Sequence, residues 1–400
     1  MRCTAWAAAA LLITGAPTAG AWAQGVPDTA SCEAILADDA ISTEERQPAL
    51  AACAPPADAT PRHLFLHGRA LYAASQDAEA LAAFEAAGER GYAPALDWAG
   101  SLHQYGQGTT ADPARARAFY ERALAAGHLA SAMPLGQMHL SGTGAAKDPA
   151  KAAALFRRAS DADLADGHVN LGYAYETGAG VPKDIKRAVE LYRKAAAANS
   201  PYAQANLGVL YSQGRGVTRN DAESVRWLQL AAAQGHKDAM FNLGLAYDKG
   251  VGIPASPEQA EHWWRKSTEA GDEVDAPNSL AYLYARQNRK LDEAEALATA
   301  ALKAGPANPA VMDTLGYIHL LRGQPAKAAL LFRQAAALRP SPLFISRLGD
   351  AYAALGLKAD AREAWRRALA LRPKVDAGVT QAELRRKLAG RPDPSGTQDR

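Results

Sequence analysis

Apolar residues recur along this chain at the spacing of α-helices. One stretch places Ala116, Phe119, Tyr120 and Ala123 at these positions, and a later one places Ala188, Leu191, Tyr192 and Ala195 there. Side chains three and four residues apart share one face of a helix, so each stretch predicts an amphipathic helix with one buried side. We therefore expect an all-α fold.

The pattern repeats every 36 residues through the middle of the chain. Three series mark the period: a small pair inside one helix, a Gly-x-Gly loop after it, and a polar residue before the next helix. The pairs are Ala99-Gly100, Leu135-Gly136, Leu171-Gly172, Leu207-Gly208 and Leu243-Gly244; the loops start at Gly106, Gly142, Gly178, Gly214 and Gly250; the polar residues are Asp112, Asp148, Asp184, Asn220 and Ser256. Such self-similarity indicates stacked helical hairpins, each packed on its neighbours.

The ends of the helices can be predicted as well. Asp, Asn and Ser are favoured N-caps, so the third series begins the second helix of each repeat. These helices end at Gly127, Asp163, Asn199, Gly235 and Gly271. Glycine and asparagine accept a left-handed C-terminal residue, which leaves Asp163 as the weaker case. A glycine inside the first helix costs about 1 kcal/mol relative to alanine, and its recurrence predicts close approach of the neighbouring helix.

These residues resemble the Sel1-like repeat, a 36-residue relative of the tetratricopeptide repeat. The stretches 205–217 (ANLGVLYSQGRGV) and 191–197 (LYRKAAA) carry the resemblance. It implies a right-handed α-α superhelix, that is, a solenoid. After Gly271 the Gly-x-Gly loop is missing and the period shortens, and the copies around Leu315-Gly316 and Leu348-Gly349 resemble ordinary tetratricopeptide repeats.

We divide the chain on this basis into six expected segments. They are a signal peptide at 1–23, a helical hairpin at 24–58, a tetratricopeptide-like repeat at 59–91, five Sel1-like repeats at 92–271, three tetratricopeptide repeats at 272–374, and a capping helix with a disordered tail at 375–400.

The N-terminus indicates export. A basic start, an apolar run from Ala5 to Ile13 and a small-x-small site at Ala21–Ala23 are typical of a signal peptide, with an uncleaved anchor helix as the alternative. No later stretch is apolar enough to cross a membrane, so none is expected in the mature chain. Cys32 and Cys53 then remain, and two cysteines in an oxidising compartment predict a disulfide, with two buried free thiols as the alternative.

Charge and motifs argue against several functions. The formal net charge is only +2, so the chain lacks the excess of positive charge that is typical of proteins that bind nucleic acid. The sequence contains no Gly-x-Ser-x-Gly, phosphate-binding loop or His-Glu-x-x-His motif. We therefore predict a protein that is not an enzyme and has no cofactor or metal.

The resemblance implies that the first helices line a concave groove that binds extended or helical segments of other proteins. The exposed positions beside the small pairs are, copy by copy, Val169 and Tyr173, Phe241 and Leu245, Asn278 and Tyr282, and Asp313 and Tyr317. The alternative interpretation is that these side chains fill the core between repeats. The leading hypothesis is a scaffold or adaptor in the bacterial cell envelope, most readily periplasmic and otherwise secreted. The alternative is a cell-wall or small-molecule binder, with or without weak hydrolytic activity.

Overall fold

The computed structural model describes residues 32, 50, 51, 53–373 and 378–390. The predicted signal peptide, most of the predicted 24–58 hairpin and the predicted tail after Gly390 lie outside the described residues. The described part contains α-helices, one short 3₁₀ turn and no strand, which confirms the all-α repeat fold. None of its helices has both the length and the apolar character needed to cross a membrane.

The chain forms two compact units, residues 1–198 and 199–400. The described helices of unit 1 are α1 Pro61–Ala73, α2 Asp77–Glu89, α3 Ala93–Tyr105, α4 Pro113–Ala125, α5 Ala132–Ser141, α6 Pro149–Asp161, α7 Ala165–Thr177 and α8 Ile185–Ala197, with a 3₁₀ turn at Leu129–Ser131. Consecutive helices pair as antiparallel hairpins, and each hairpin packs on the next one within the unit.

Unit 2 continues the same alternation of first and second helices. Its helices are α9 Pro201–Gln213, α10 Asp221–Ala233, α11 Lys237–Lys249, α12 Pro257–Glu269, α13 Asp275–Arg286, α14 Leu291–Ala304, α15 Pro309–Leu321, α16 Pro325–Leu338, α17 Pro342–Ala354, α18 Lys358–Ala370 and α19 Gln381–Leu388. Among the described helices, α19 packs on α18, and its Leu384 is fully buried.

The predicted N-caps act as expected. The side chains of Asp112, Asp148, Asp184, Asn220 and Ser256 each accept a hydrogen bond from the backbone N–H three residues on, at the start of α4, α6, α8, α10 and α12. These bonds satisfy donors that the helix itself leaves free. The polar series therefore sets where each second helix begins.

The helical glycines are required by close packing, as the sequence predicted. A Cβ added to Gly172 would lie 2.8 Å from the Tyr192 ring, and one added to Gly244 would lie 2.4 Å from Trp264. Both rings are buried and belong to the second helix of the same hairpin. The small residue lets a large aromatic side chain lie directly on the first helix.

The N-terminal disulfide is present. Cys32 and Cys53 are bonded to each other, which confirms the predicted pair. Both cysteines are buried and form a small apolar cluster with Leu66 and Ala70 of α1. The disulfide thus packs against α1, the first helix of the first hairpin.

Candidate partner-binding face

Four of the predicted groove residues lie on two successive first helices of unit 2. Asn278 and Tyr282 are on α13, and Asp313 and Tyr317 are on α15. Each pair is spaced four residues apart, so its members share one side of their helix. The helices α13 and α15 contact each other directly. The sequence therefore predicted a surface whose parts are brought together within unit 2.

Arg347, from the next first helix α17, joins these residues. Its guanidinium lies 4.4 Å from the centre of the Tyr317 ring and 5.6 Å from that of Tyr282. It donates a hydrogen bond to the Tyr282 hydroxyl at 3.3 Å and forms an ion pair with Asp313. The two tyrosine rings are 6.2 Å apart. We call Asn278, Tyr282, Asp313, Tyr317 and Arg347 the Arg347 face.

Burial dominates the electrostatics of this face. Removal from water raises the pKa of Asp313 to about 6, because the loss of hydration outweighs the attraction of Arg347. Burial also raises the pKa of Tyr317. Burial alone would lower the pKa of Arg347, but Asp313 and the two phenol oxygens raise it above its ordinary value. The guanidinium therefore stays charged while its carboxylate partner titrates close to neutrality.

Two acceptors of the face are left without donors. One carboxylate oxygen of Asp313 and the amide oxygen of Asn278 are buried, and no donor in the described part of the chain reaches either. A buried acceptor without a partner costs roughly 1–3 kcal/mol. One guanidinium thus links Tyr282, Asp313 and Tyr317, and the polar groups of the face are incompletely satisfied.

The polar surface continues onto the C-terminal helix. Lys387 of α19 lies 3.2 Å from the Ser346 hydroxyl and 2.7 Å from the Asp350 carboxylate, both on α17. The other oxygen of Asp350 accepts a hydrogen bond from the Trp365 indole at 3.0 Å. Ser346 and Asp350 flank Leu348-Gly349 at the positions that the groove residues occupy in earlier copies. Lys387 therefore covers the two groove positions of the last repeat, Ser346 and Asp350.

The remaining predicted groove residues have other surroundings. Phe241 and Leu245 of α11 are half-buried and pack against the apolar core around Leu280 and Tyr284. Val169 and Tyr173 lie on α7 in unit 1, where Val169 is half-buried and Tyr173 is 49% exposed. Among the predicted aromatic residues, Tyr173 alone is exposed.

Sequence reasoning missed Arg347, although a signal for it exists. The position just before the small pair is uncharged in the earlier copies and charged only in the last. It is occupied by Trp98, Pro134, Asn170, Asn206, Asn242, Ser279, Thr314 and finally Arg347. The role of Arg347 still required the structure. The predicted groove residues lie two positions before and two positions after the first residue of each small pair, whereas Arg347 lies directly before it.

A hydrogen-bonded Ser–His–Asp chain occurs in unit 1. The Ser160 hydroxyl is 2.7 Å from His168 Nδ1, and His168 Nε2 is 2.8 Å from Asp163. Ser160 and His168 are both buried. One repeat later, Gln204 donates to Asn199 at 3.1 Å from the same two positions as His168 and Asp163. Because an equivalent hydrogen bond recurs one repeat later, we interpret it as a structural contact that stabilises the left-handed residues Asp163 and Asn199, and not as part of a catalytic site.

Comparison with known proteins identifies the repeat. A family model described as Sel1 repeat matches residues 93–128, 131–164, 165–200, 201–236 and 237–272. A Sel1 repeat protein from Oxalobacter formigenes is 31% identical, with a TM-score of 0.56, over 59% of this chain and 98% of that one. The protein c5321 is a protective antigen that is present in uropathogenic Escherichia coli strains and displays an SLR fold. It is 25% identical, with a TM-score of 0.46, over 82% of this chain and 79% of that one. No curated protein matches the sequence.

Proposed function

Since the chain belongs to the Sel1 repeat family, we propose that it is a non-catalytic scaffold or adaptor that binds other proteins through the Arg347 face. Repeat proteins of this kind bind other proteins. The observation that carries the proposal is the stacking of Arg347 on Tyr317 and its hydrogen bond to Tyr282. Tyrosine and arginine are among the residue types that are enriched as anchors of protein interfaces.

The face suits an extended or helical segment of a partner. Its tyrosines are half-buried, so their rings are already fixed and lose little freedom when a partner binds. The side-chain oxygen of Asn278 and one carboxylate oxygen of Asp313 have no hydrogen-bond donor among the described residues. A partner that rearranges the Arg347 contact would supply backbone or side-chain N–H groups to these two oxygens.

A pull-down followed by a direct binding assay tests this function. Proteins captured from cell-envelope extract by the full chain would be identified, and the bound segment would be titrated against wild type and the Tyr282→Ala/Tyr317→Ala double variant. We expect the double variant to bind at least about tenfold more weakly, because truncating an interface anchor costs about 2 kcal/mol or more.

The control is Leu330→Ala, which alters an exposed apolar residue on the second helix α16. It should leave binding unchanged. Equal binding by the folded double variant and wild type would contradict the role of the face. Sedimentation with peptidoglycan in place of protein capture would favour the cell-wall-binding alternative.

We also propose that the protein works outside the cytoplasm, in the periplasm or as a secreted protein of the cell envelope. The Cys32–Cys53 disulfide supports this location, because such bonds persist in oxidising compartments. Cell fractionation with mass spectrometry of the native protein tests it. We expect the mature chain to start at Gln24 with both cysteines oxidised, and recovery from the cytoplasm with Met1 and two free thiols would contradict it.

A further inference from the structure

Three side chains meet where one hairpin packs on the next, and in two such junctions a carboxylate lies beside a cation. In the first such junction of unit 1, Glu85 of α2 lies 2.9 Å from both His103 of α3 and Arg115 of α4. In the corresponding junction of unit 2, Arg265 of α12 lies 2.7 Å from the Tyr284 hydroxyl and 3.2 Å from Glu293. Both triples contain a carboxylate beside a cation.

The triple formed by α6, α7 and α8 lacks this carboxylate. Arg157 and Arg187 donate to the same Tyr175 hydroxyl oxygen at 3.1 and 3.3 Å. The Arg187 guanidinium also lies 5.6 Å from the centre of the Tyr175 ring and 3.4 Å from Asp184, which caps the helix. Within the described residues, no carboxylate lies within 4.0 Å of the Arg157 guanidinium. Arginine thus occupies both flanking positions of this triple.

Two guanidinium groups that share one oxygen repel each other. Their effect shows on Tyr175: burial alone would raise the pKa of its phenol, but hydrogen bonds and positive charge from Arg187 and Arg157 outweigh burial and lower the pKa below its ordinary value. The phenol oxygen therefore lies in a positive potential, at a position where a negative charge would be stabilised.

The triple opens into a cavity. An open cavity of about 500 Å³ is lined by Arg157, Tyr175 and Arg187 and also by Lys194. The carboxylates Asp161, Asp163 and Glu190 line it as well, together with Ser160 and His168. Asp163 is engaged by His168 at 2.8 Å. The cavity is large enough for a small anion beside the two guanidinium groups.

We infer that Arg157, Tyr175 and Arg187 form a binding site for a phosphate group, which takes the place of the carboxylate found in the equivalent triples. Guanidinium groups bind phosphate oxygens through parallel, charge-assisted hydrogen bonds, and the phenol O–H supplies a further donor. The ligand is inorganic phosphate or a phosphate carried by a larger molecule. The site lies in unit 1 and does not depend on the Arg347 face.

Titration of the full-length protein with inorganic phosphate tests the inference. Chemical shifts of arginine side-chain N–H groups would be followed in phosphate, in sulfate and in acetate at matched ionic strength. We expect saturable binding of phosphate that weakens about tenfold in Arg157→Gln or Arg187→Gln, which corresponds to about 1.4 kcal/mol. Arg158→Gln is the matched control, because its guanidinium contacts the Leu124 carbonyl, and it should bind as wild type does.

The Tyr175 phenol provides a second measurement. Phosphate should raise the pKa of one tyrosine in an ultraviolet titration, and this transition should be missing in Tyr175→Phe. Absence of saturable binding, or phosphate binding that is the same in both arginine variants, would overturn the inference. Preferential binding of acetate or sulfate through the same arginines would overturn the assignment of phosphate.

Discussion

At the scale of single residues, the residue two positions after each second helix of the Sel1 repeats adopts a left-handed conformation. Where this residue is not glycine, a side-chain hydrogen bond accompanies the less favourable backbone conformation. Gly127 and Gly235 occupy this position in two copies, while Asp163 and Asn199 occupy it in two others with φ of 58° and 61°. Five residues after each of these glycines stand Ala132 and Met240. Five residues after Asp163 and Asn199 stand His168 and Gln204, each within hydrogen-bonding distance of the strained residue.

This pairing leads to a prediction for Asp163 and His168. His168→Met alone should destabilise the protein by roughly 0.5–1.5 kcal/mol, because the hydrogen bonds of His168 with Asp163 and Ser160 are lost while Asp163 keeps its left-handed conformation. The double variant Asp163→Gly/His168→Met reproduces the combination at Gly235 and Met240 and should be more stable than His168→Met. Urea unfolding of wild type, both single variants and the double variant gives the coupling, expected at about 0.5–3 kcal/mol. Strict additivity would show that the two positions are independent.

At the scale of helices, the change of repeat type after Gly271 is stabilised by charge. The loop between α13 and α14 lacks the Gly-x-Gly turn, and Asn288 and Lys290 adopt positive φ instead. From this loop Arg289 and Lys290 reach Glu261 of α12, at 2.7 and 2.9 Å. Burial alone would raise the pKa of Glu261, but Arg289, Tyr284 and Lys290 lower it to about 2. Glu261 thus links the last Sel1-type hairpin to the shorter repeats that follow.

Glu261 should therefore contribute stability that depends on pH. Its pKa is about 4.5 without these partners and about 2 in the folded protein. The contribution is fully present above pH 4.5 and is lost as the pH falls towards 2. Glu261→Gln should lower the free energy of unfolding at pH 7 by roughly 1–3 kcal/mol and flatten this acid dependence. Glu269→Gln, an exposed carboxylate at the end of α12, is the control, and an equal loss in both variants would contradict the role of Glu261.

Arg347 connects three first helices, and its removal should show an opposite dependence on pH. In Arg347→Gln the buried Asp313 carboxylate loses its cation, which costs up to about 3–5 kcal/mol. The pKa of Asp313, about 6 in the folded protein against 3.8 for a free carboxyl, should rise further. A folded state that binds the proton more tightly gains stability as the pH falls. Chemical denaturation should show the deficit at pH 8 and its decrease towards pH 5.

The double variant Asp313→Asn/Arg347→Gln tests the cause of that loss. It removes the buried charge together with its partner and should recover most of the stability at pH 8. Arg333→Gln, an exposed position on α16, is the control and should behave as wild type does. A pH-independent loss in Arg347→Gln would mean that packing of the guanidinium on the tyrosine rings matters more than its charge.

At the scale of the whole molecule, the sequence predicted the repeats well, because each repeat depends on local signals. Caps such as Asp112 and glycines such as Gly172 act within a single hairpin, so their spacing alone identifies the fold. The candidate site was predicted only in part. Tyr282 and Tyr317 follow from the register, but the Asp313–Arg347 pair joins residues 34 positions apart through the approach of two helices. The charges of such a pair depend on burial, which periodicity does not determine.

The nearest-neighbour character of the repeats gives a last prediction, for the Cys32–Cys53 disulfide. The bond closes a loop with a sequence separation of 21, and its loss should cost about 3 kcal/mol in the chain-entropy model. Because each repeat packs only on its neighbours, this loss should stay near the N-terminal end. In Cys32→Ser/Cys53→Ser, hydrogen exchange should accelerate in α1, less in α2, and remain unchanged from α13 to α18. Uniform acceleration along the chain would instead show that the protein unfolds as one cooperative body, so that a change at one end would also reach the Arg347 face.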